Sequence, residues 1–248
     1  MHLLIDNSNT RTKFALDQDG RLSEWRATIP TAELSPESLD KALAGQAFTH
    51  LTLCSVVPRL ADLMEAHFTG PLHRISHRSP LPISIDYPEP EKIGADRLAN
   101  ATAAVIRQKH PAIVIDFGTA VTFDVISADT SYLGGVIAPG TASLRDYLHK
   151  KTALLPAIQL EEPTSAIGRS TAEAMQIGAV IGYRGLIREI LAAIRAELVG
   201  KPAILATGGD AALIAQGLPE IEEIDPDLTM KGIQVIGRSA HSLRTLTP

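Results

Sequence analysis

Apolar and polar positions along the chain fall into short blocks of strand periodicity separated by small-residue turns, with helical blocks later in each half. Residues 3–16 read LLIDNSNTRTKFAL: an apolar run ends in Asp6, a small polar turn follows, and a second apolar alternation leaves it. Residues 113–126, IVIDFGTAVTFDVI, repeat that order. Aligning Asp6 on Asp116 sets Ser8 on Gly118, Asn9 on Thr119 and Thr12 on Thr122. A further strand-like stretch follows each unit, at 21–29 and at 131–138, and strand, turn and helix then recur at 51–67 and 203–218. Hairpins followed by strand–helix units predict an α/β chain of two lobes, 1–112 and 113–248, each a mixed sheet flanked by helices. If the halves are a true duplication, the two acid-bearing turns face each other across a cleft, a common place for a ligand.

The helical blocks are read from their spacing. Leu98, Ala101, Ala104 and Val105 predict a helix from Asp96 to Lys109, with Pro111 just beyond it. Pro139 suits the first turn of a helix reaching about Lys150. The Ala-rich stretch from about Ser170 to Leu198 predicts a long helix that packs against another chain, hence a dimer. Residues 76–93, with four prolines, read as an extended loop closing the first half.

Composition narrows the classes of function. The chain has 248 residues, 45% hydrophobic and 21% charged, with a formal net charge of -5 and no run of Lys and Arg. That excludes the concentrated basic face of a nucleic-acid binder. The single cysteine, Cys54, rules out an intramolecular disulfide and suits a reducing cytoplasm; in its apolar strand it reads as a core residue. The start of the chain runs straight into a strand pattern, so no signal peptide is expected, and no apolar run approaches the roughly 20 residues of a membrane span.

Candidate chemistry sits in five motifs. In Asp6-Asn7-Ser8-Asn9-Thr10-Arg11-Thr12-Lys13, a strand ends in a carboxylate and a polar turn follows. Such a turn offers N–H groups and hydroxyls to a phosphate; Asp6 could hold Mg²⁺ and Lys13 reach a phosphate oxygen. An Asn/Ser hairpin turn capped by its aspartate would read the same way. Asp116-Phe117-Gly118-Thr119-Ala120 is its counterpart in the second half, and two such turns favour a phosphate clamp. Tyr87 to Arg97 passes from Pro-rich loop to helix, with Asp96 as a general base for a substrate hydroxyl or, equally, an acid that complements the helix dipole. Leu133 to Gly140 runs from strand towards helix, its glycines allowing close approach of chain or ligand. The glycines of Thr207-Gly208-Gly209-Asp210 could admit an adenosine.

Together these blocks resemble the type III pantothenate kinases. Asp6 to Lys13 resembles their D-x-G-N-T-x-x-K, Tyr87 to Arg97 their Y-x-x-P-x-x-(V/I)-G-A-D-R, and Asp116 to Ala120 their D-x-G-T-A. Residues 134–140 resemble G-G-x-I-x-P-G, Gly168 to Gly178 resembles G-x-x-T-x-x-A-M-x-x-G, and Thr207 to Asp210 resembles T-G-G-D. The resemblance implies two tandem RNase-H-like lobes of the actin-like ATPase superfamily, a homodimer, and ATP-dependent phosphorylation of pantothenate at the start of coenzyme A biosynthesis. By motif position, Asp6, Asn7, Ser8, Asn9, Thr10, Arg11, Thr12, Lys13 and Thr119 would contact ATP. Tyr87, Gly94, Ala95, Asp96 and Arg97 would contact pantothenate, with Thr171 reaching in from the partner subunit. Asp96 would be the proton acceptor, and Asp116 would hold the K⁺ or NH₄⁺ that the family typically requires. Ser8 stands where the family has glycine, and a turn needing φ > 0 there would be strained by serine.

Two patterns are set aside. Gly232 to Ser239 differs from a P-loop in carrying Arg238 in place of lysine, and its apolar residues suit a strand or helix face. The eight histidines show no H-E-x-x-H spacing, so no zinc site is expected. Besides another phosphotransferase or phosphohydrolase of the superfamily, which would not need the Tyr87–Arg97 block, the rival reading is a nucleotide-binding regulatory protein of the same family; the complete set Asp6, Asp96, Arg97 and Thr171 favours the enzyme.

Overall fold

The first alternating block folds as a hairpin, β1 (His2–Asn7) and β2 (Arg11–Gln18), extended by β3 (Arg21–Pro30). The computed structural model describes residues 1–246. Further along come α1 (Pro36–Leu43), β4 (His50–Ser55), α2 (Pro58–His67), β5 (Leu72–Arg74), β6 (Ser84–Ile85) and α3 (Ala95–Ile106). The second half contains β7 (Ala112–Phe117), β8 (Ala120–Ile126), β9 (Ser131–Pro139), α4 (Thr141–Lys151), α5 (Thr171–Ile177) and α6 (Tyr183–Glu197). The chain continues through β10 (Ala203–Gly208), α7 (Ala211–Ala215), β11 (Glu223–Ile224) and α8 (Leu228–Leu246).

The chain divides into two units, Met1–Gln108 with Asp227–Pro248, and Lys109–Pro226. This differs from a division at 112/113 mainly in α8, which follows the second half in sequence but packs on α3, β1 and β4 of the first unit.

In the first unit the sheet order is β3-β2-β1-β4-β5. β1 runs antiparallel to β2 and parallel to β4, and β4 runs parallel to β5. Alternation sends Leu3, Ile5, Leu51 and Leu53 to one face, where they pack with Leu39 and Leu43 of α1 and Leu60 and Met64 of α2. Leu4 and Cys54 point to the other face, against Ala95 and Ala99 of α3 and Ile233 and Ile236 of α8. Cys54 is a buried core residue, as its apolar strand predicted. Residues 232–239, the near miss to a P-loop, lie inside α8.

The second unit repeats the same path. Its strands run β9-β8-β7-β10-β11, with β7 antiparallel to β8, β8 antiparallel to β9, and β7, β10 and β11 parallel. Each strand of the first unit's five-stranded sheet therefore has a counterpart with the same neighbours and directions, which turns the weak sequence repeat into a duplicated topology. Ile113, Ile115, Phe123 and Ile204 pack with Tyr183, Ile187 and Leu191 of α6 and with Ile214 of α7.

Three helix boundaries differ from expectation. The helix expected to reach Lys109 is α3, which ends at Ile106, ahead of Gln108 with its positive φ. Pro139 is the last residue of β9, and Gly140 caps α4, because the β8–β9 ladder extends to the Ala120–Pro139 pair. The long helix expected over 170–198 is α5 and α6 joined through one π-helical turn, Gly178–Gly182. Among the described residues no helix is long and apolar enough to cross a membrane.

Candidate active site

The site residues expected from sequence come from both units, and each unit organises its own set. In the first, Asp6 lies at the end of β1 and is buried. Its register partner on β4 is Cys54, so its side chain falls on the sheet face that α3 covers. Ser8 Oγ donates to Asp6 Oδ1 at 3.1 Å, and Lys13 Nζ stands 3.9 Å from Asp6 Oδ2. A buried carboxylate with hard oxygen donors at the mouth of a turn fits a small divalent cation such as Mg²⁺, and the half-exposed lysine beside it can meet a phosphate.

The turn is held from below. Asn7 Nδ2 donates to Thr12 Oγ1 at 2.8 Å, and Ser55 Oγ donates to Asn7 Oδ1 at 2.7 Å. Thr31 Oγ1 donates to the Ser8 carbonyl at 2.7 Å, and the Thr31 amide donates to the Thr10 carbonyl at 3.0 Å. The side chains of Asn7 and Thr12 are thus buried beneath the turn, while Asn9, Thr10, Arg11 and Lys13 are exposed on it. Ser55 and Thr31 escaped the sequence reading because they reach the turn from β4 and from the end of β3. Ser8 is under no backbone strain: among the described residues the only non-glycine positions with positive φ are Asp19, Gln108 and Thr130. Serine is therefore compatible with this turn, and its hydroxyl supplies a hydrogen bond that glycine could not.

Asp96 occupies the first turn of α3, after Gly94 at the N-cap and the buried Ala95. Its Oδ1 accepts the Arg97 backbone N–H at 2.8 Å, which folds the carboxylate back over the helix start. A Cβ at position 94 would lie 2.6 Å from that same oxygen, so glycine is what leaves the carboxylate room. Burial pushes the Asp96 carboxyl above its ordinary value of 3.8, against the opposing pull of the Arg97 amide and guanidinium. A helix N-terminus alone would lower it, so desolvation outweighs the helix start at this carboxylate. Arg97 is half-buried and Tyr87, on the loop before the helix, is exposed.

The second unit gathers three motifs. Asp116 lies near the end of β7, half-buried, and Gly118 and Thr119 form the exposed turn into β8. Gly140, the cap of α4, donates its N–H to the Thr119 carbonyl at 3.1 Å, and Ser143 Oγ donates to the same oxygen at 3.3 Å. On the other side Thr207 pairs with Asp116 and Gly208 with Phe117 in the β7–β10 ladder. Thr141 Oγ1 donates to Asp210 Oδ2, closing the connection between the α4 cap and the Thr207–Asp210 turn. The Asp116 turn, the Leu133–Gly140 strand end and the T-G-G-D turn thus form one hydrogen-bonded cluster. A Cβ on Gly209 would meet nothing within 4 Å, so that glycine faces open space. Thr171 stands exposed at the start of α5, where Ser170 Oγ accepts the Glu173 amide at 3.2 Å.

Comparison with known proteins finds relatives along most of the chain. The family model described as type III pantothenate kinase matches residues 2–193. A protein from Akkermansia muciniphila named type III pantothenate kinase is 55% identical over 234 residues, covering 94% of this chain and 97% of its own. Among solved structures, one from Campylobacter jejuni described as a Baf family transcriptional activator aligns with a TM-score of 0.65 at 20% identity, covering 97% of this chain and 99% of its own. The inorganic polyphosphate/ATP-glucomannokinase of Arthrobacter sp. strain KM aligns with a TM-score of 0.52 at 16% identity, covering 96% and 99%. At those identities the structural matches speak for the fold alone, two α/β units in tandem.

Proposed function

Since the chain belongs to the type III pantothenate kinase family, we propose that it transfers the γ-phosphoryl group of ATP to the hydroxyl of pantothenate, giving 4'-phosphopantothenate, the first step of coenzyme A biosynthesis. The observation that carries this reading is the agreement of a half-buried Asp96 with a raised pKa at the start of α3 with the family match over residues 2–193.

The residues divide the work as follows. In the first unit the 6–13 turn receives the ATP phosphates, with Lys13 as a contact and Asn7 and Thr12 as supports beneath it; in the second unit the Asp116–Ala120 turn offers Thr119 as an ATP contact. Asp6 is the donor for Mg²⁺, which when bound offsets phosphate charge. Asp96 orients the pantothenate hydroxyl and accepts its proton, Arg97 pairs with the substrate carboxylate, and Tyr87, Gly94 and Ala95 shape the pocket. Because the transition state of phosphoryl transfer is loose, most of the rate comes from positioning and electrostatics. Asp116 is the candidate donor for a monovalent cation, K⁺ or NH₄⁺, since its half-buried carboxylate adjoins the Thr119 turn. A cytoplasmic setting suits the single buried cysteine.

ADP release from purified protein, ATP, Mg²⁺ and pantothenate, with and without K⁺, tests the reading. Pantothenate-dependent turnover that rises with K⁺ in the wild type, and no longer does so in Asp116→Asn, is the expected result. Turnover indifferent to K⁺ would remove the cation role. ATP binding without turnover under any cation would favour the regulatory reading, and Ser8→Gly would then be the first reversion to make.

We also assign a homodimer. The second unit exposes Ile137, Tyr147, Leu148, Leu154, Ile167 and Ile181 around α4 and the helical stretch that carries Thr171. These exposed apolar side chains are offered to a second copy of the chain, and such an interface would carry Thr171 to the other subunit's pantothenate pocket. Sedimentation should give a dimer at assay concentration; a monomer with full activity would exclude this arrangement.

A further inference from the structure

The strongest feature outside the kinase machinery is a group of three histidines in the first unit, each from a different element. His2 begins β1, His50 begins β4, and His241 lies on α8. His2 and His50 are register partners in the parallel β1–β4 pair, which sets their rings side by side with centroids 4.4 Å apart. The His241 ring stands 4.3 Å from that of His50 and 5.2 Å from that of His2. One nitrogen from each ring can be chosen so that all three lie within 4.8 Å of one another. They line an open pocket of about 320 Å³ whose other walls include Asp17, Asp19 and Arg238.

We propose that His2, His50 and His241 bind a borderline divalent transition-metal ion of the zinc class, at a site distinct from the one that transfers phosphate. His2 and Asp6 lie at opposite ends of β1, four residues or roughly 13 Å apart at strand rise, so the ion would be no part of the Mg²⁺·ATP site.

Each ring is already oriented as a ligand would be. The Nε2–H of His241 donates to the Leu51 carbonyl at 3.1 Å; a carbonyl only accepts, so this tautomer directs the lone pair to Nδ1. His2 Nε2 is engaged by Thr52 Oγ1 at 2.8 Å and His50 Nδ1 by Thr49 Oγ1 at 2.9 Å, which leaves the second nitrogen of each ring as the one to coordinate. A hydrogen-bond partner on the far nitrogen is the usual support of a metal-bound imidazole. The decisive atom is His2 Nδ1. His2 is 3% exposed, and this nitrogen has no hydrogen-bond partner; the nearest carboxylate oxygen, Asp17 Oδ2, is 3.7 Å away. Buried polar atoms are seldom left so, and a coordinated ion would satisfy it.

The chemistry selects the metal class. Three imidazoles suit zinc, cobalt, nickel or copper, while magnesium and calcium prefer oxygen. Three histidines with a fourth position for water or for Asp17 is a familiar zinc arrangement. Zinc–nitrogen bonds of about 2.0–2.1 Å require ligand atoms about 3.4 Å apart, so small rotations of the half-buried His50 and His241 would close the set. Asp17 and Asp19 favour a cation and Arg238 opposes it. Burial and the neighbouring imidazoles hold His2 neutral, its pKa lowered to about 3, as a ligand must be. The bound ion would tie the first strand to the last helix, and binding only to the folded state would stabilise the unit.

The test uses the untagged full-length protein, stripped with chelator and titrated with Co²⁺ as a spectroscopic probe and Zn²⁺ as competitor. His50→Ala and His241→Ala are the variants, because both rings are half-buried and their loss spares the core; His110→Ala is the control. One equivalent of Co²⁺ with a tetrahedral visible spectrum, displaced by Zn²⁺, is expected. Affinity should fall at least tenfold in each cluster variant and hold in the control. Zn²⁺ should raise the apparent Tm of the wild type only where the cluster is intact. Absence of stoichiometric binding, an octahedral spectrum, or wild-type affinity in either cluster variant would overturn the proposal.

Discussion

Asp96→Asn is expected to lower pantothenate-dependent turnover by about a hundredfold or more, while ATP still binds. General-base catalysis typically contributes about 10²–10⁴-fold, and a loose transition state puts this base towards the lower end. The amide keeps the size of the carboxylate and can still accept the Arg97 N–H, so α3 should start as before. Its stability should not suffer. A carboxyl whose folded pKa is raised contributes stability that is complete below its ordinary 3.8 and is lost as pH rises through the folded value. At neutral pH the ionised Asp96 therefore weakens the fold, and a neutral amide removes that penalty. The same shift fixes the acid limb of kcat/KM: only the ionised base accepts a proton, so activity should fall with a midpoint above 3.8. Steady-state kinetics, nucleotide binding and thermal melts on the two proteins separate these effects. Unchanged turnover in Asp96→Asn would remove the base assignment.

Gly232→Ala should be the most destabilising conservative substitution in the first unit, by about 3 kcal/mol, the upper part of the usual range for overpacking. Gly232 sits on α8 where that helix crosses α3, and a Cβ there would lie 1.9 Å from the Ala99 carbonyl oxygen. That oxygen belongs to helix backbone and cannot rotate away, so the helices must separate. The crossing is close because α3 presents Ala95 and Ala99 to α8, and Thr229 Oγ1 donates to Asn100 Oδ1 beside it at 2.8 Å. A change of this size should lower the apparent Tm by roughly 6–12 °C. Gly185→Ala is the matched control: it is also a helical glycine, but its Cβ would meet nothing within 4 Å, so the better helix propensity of alanine should leave stability equal or slightly higher. Equal melting of Gly232→Ala and wild type would show that α8 can shift without loss. Because α3 carries Asp96 and α8 carries His241, separation of the helices should also weaken turnover and metal binding.

What the sequence determined by itself is what short-range physics encodes. Alternation in 3–16 and 113–126 specified two hairpins, each with an aspartate near the end of its first strand, and the observed pairs Asp6–Lys13 and Asp116–Thr122 follow from turns only a few residues long. Apolar spacing specified α3, and the order of motifs carried the family. Tertiary structure decided the rest, because it depends on which distant segments pair. Pro139 continues a strand because β8 supplies a hydrogen-bonding partner, which no local preference for a helix start reveals. Thr31 and Ser55 clamp the first turn only once β3 and β4 flank the hairpin. α8 joins the first unit because Gly232 and Gly237 let it lie against α3 and the sheet. The three histidines show no metal spacing along the chain, since 48 residues separate His2 from His50 and 191 separate His50 from His241. Parallel register and one helix crossing bring them together, and neither can be read from the neighbours of any one histidine.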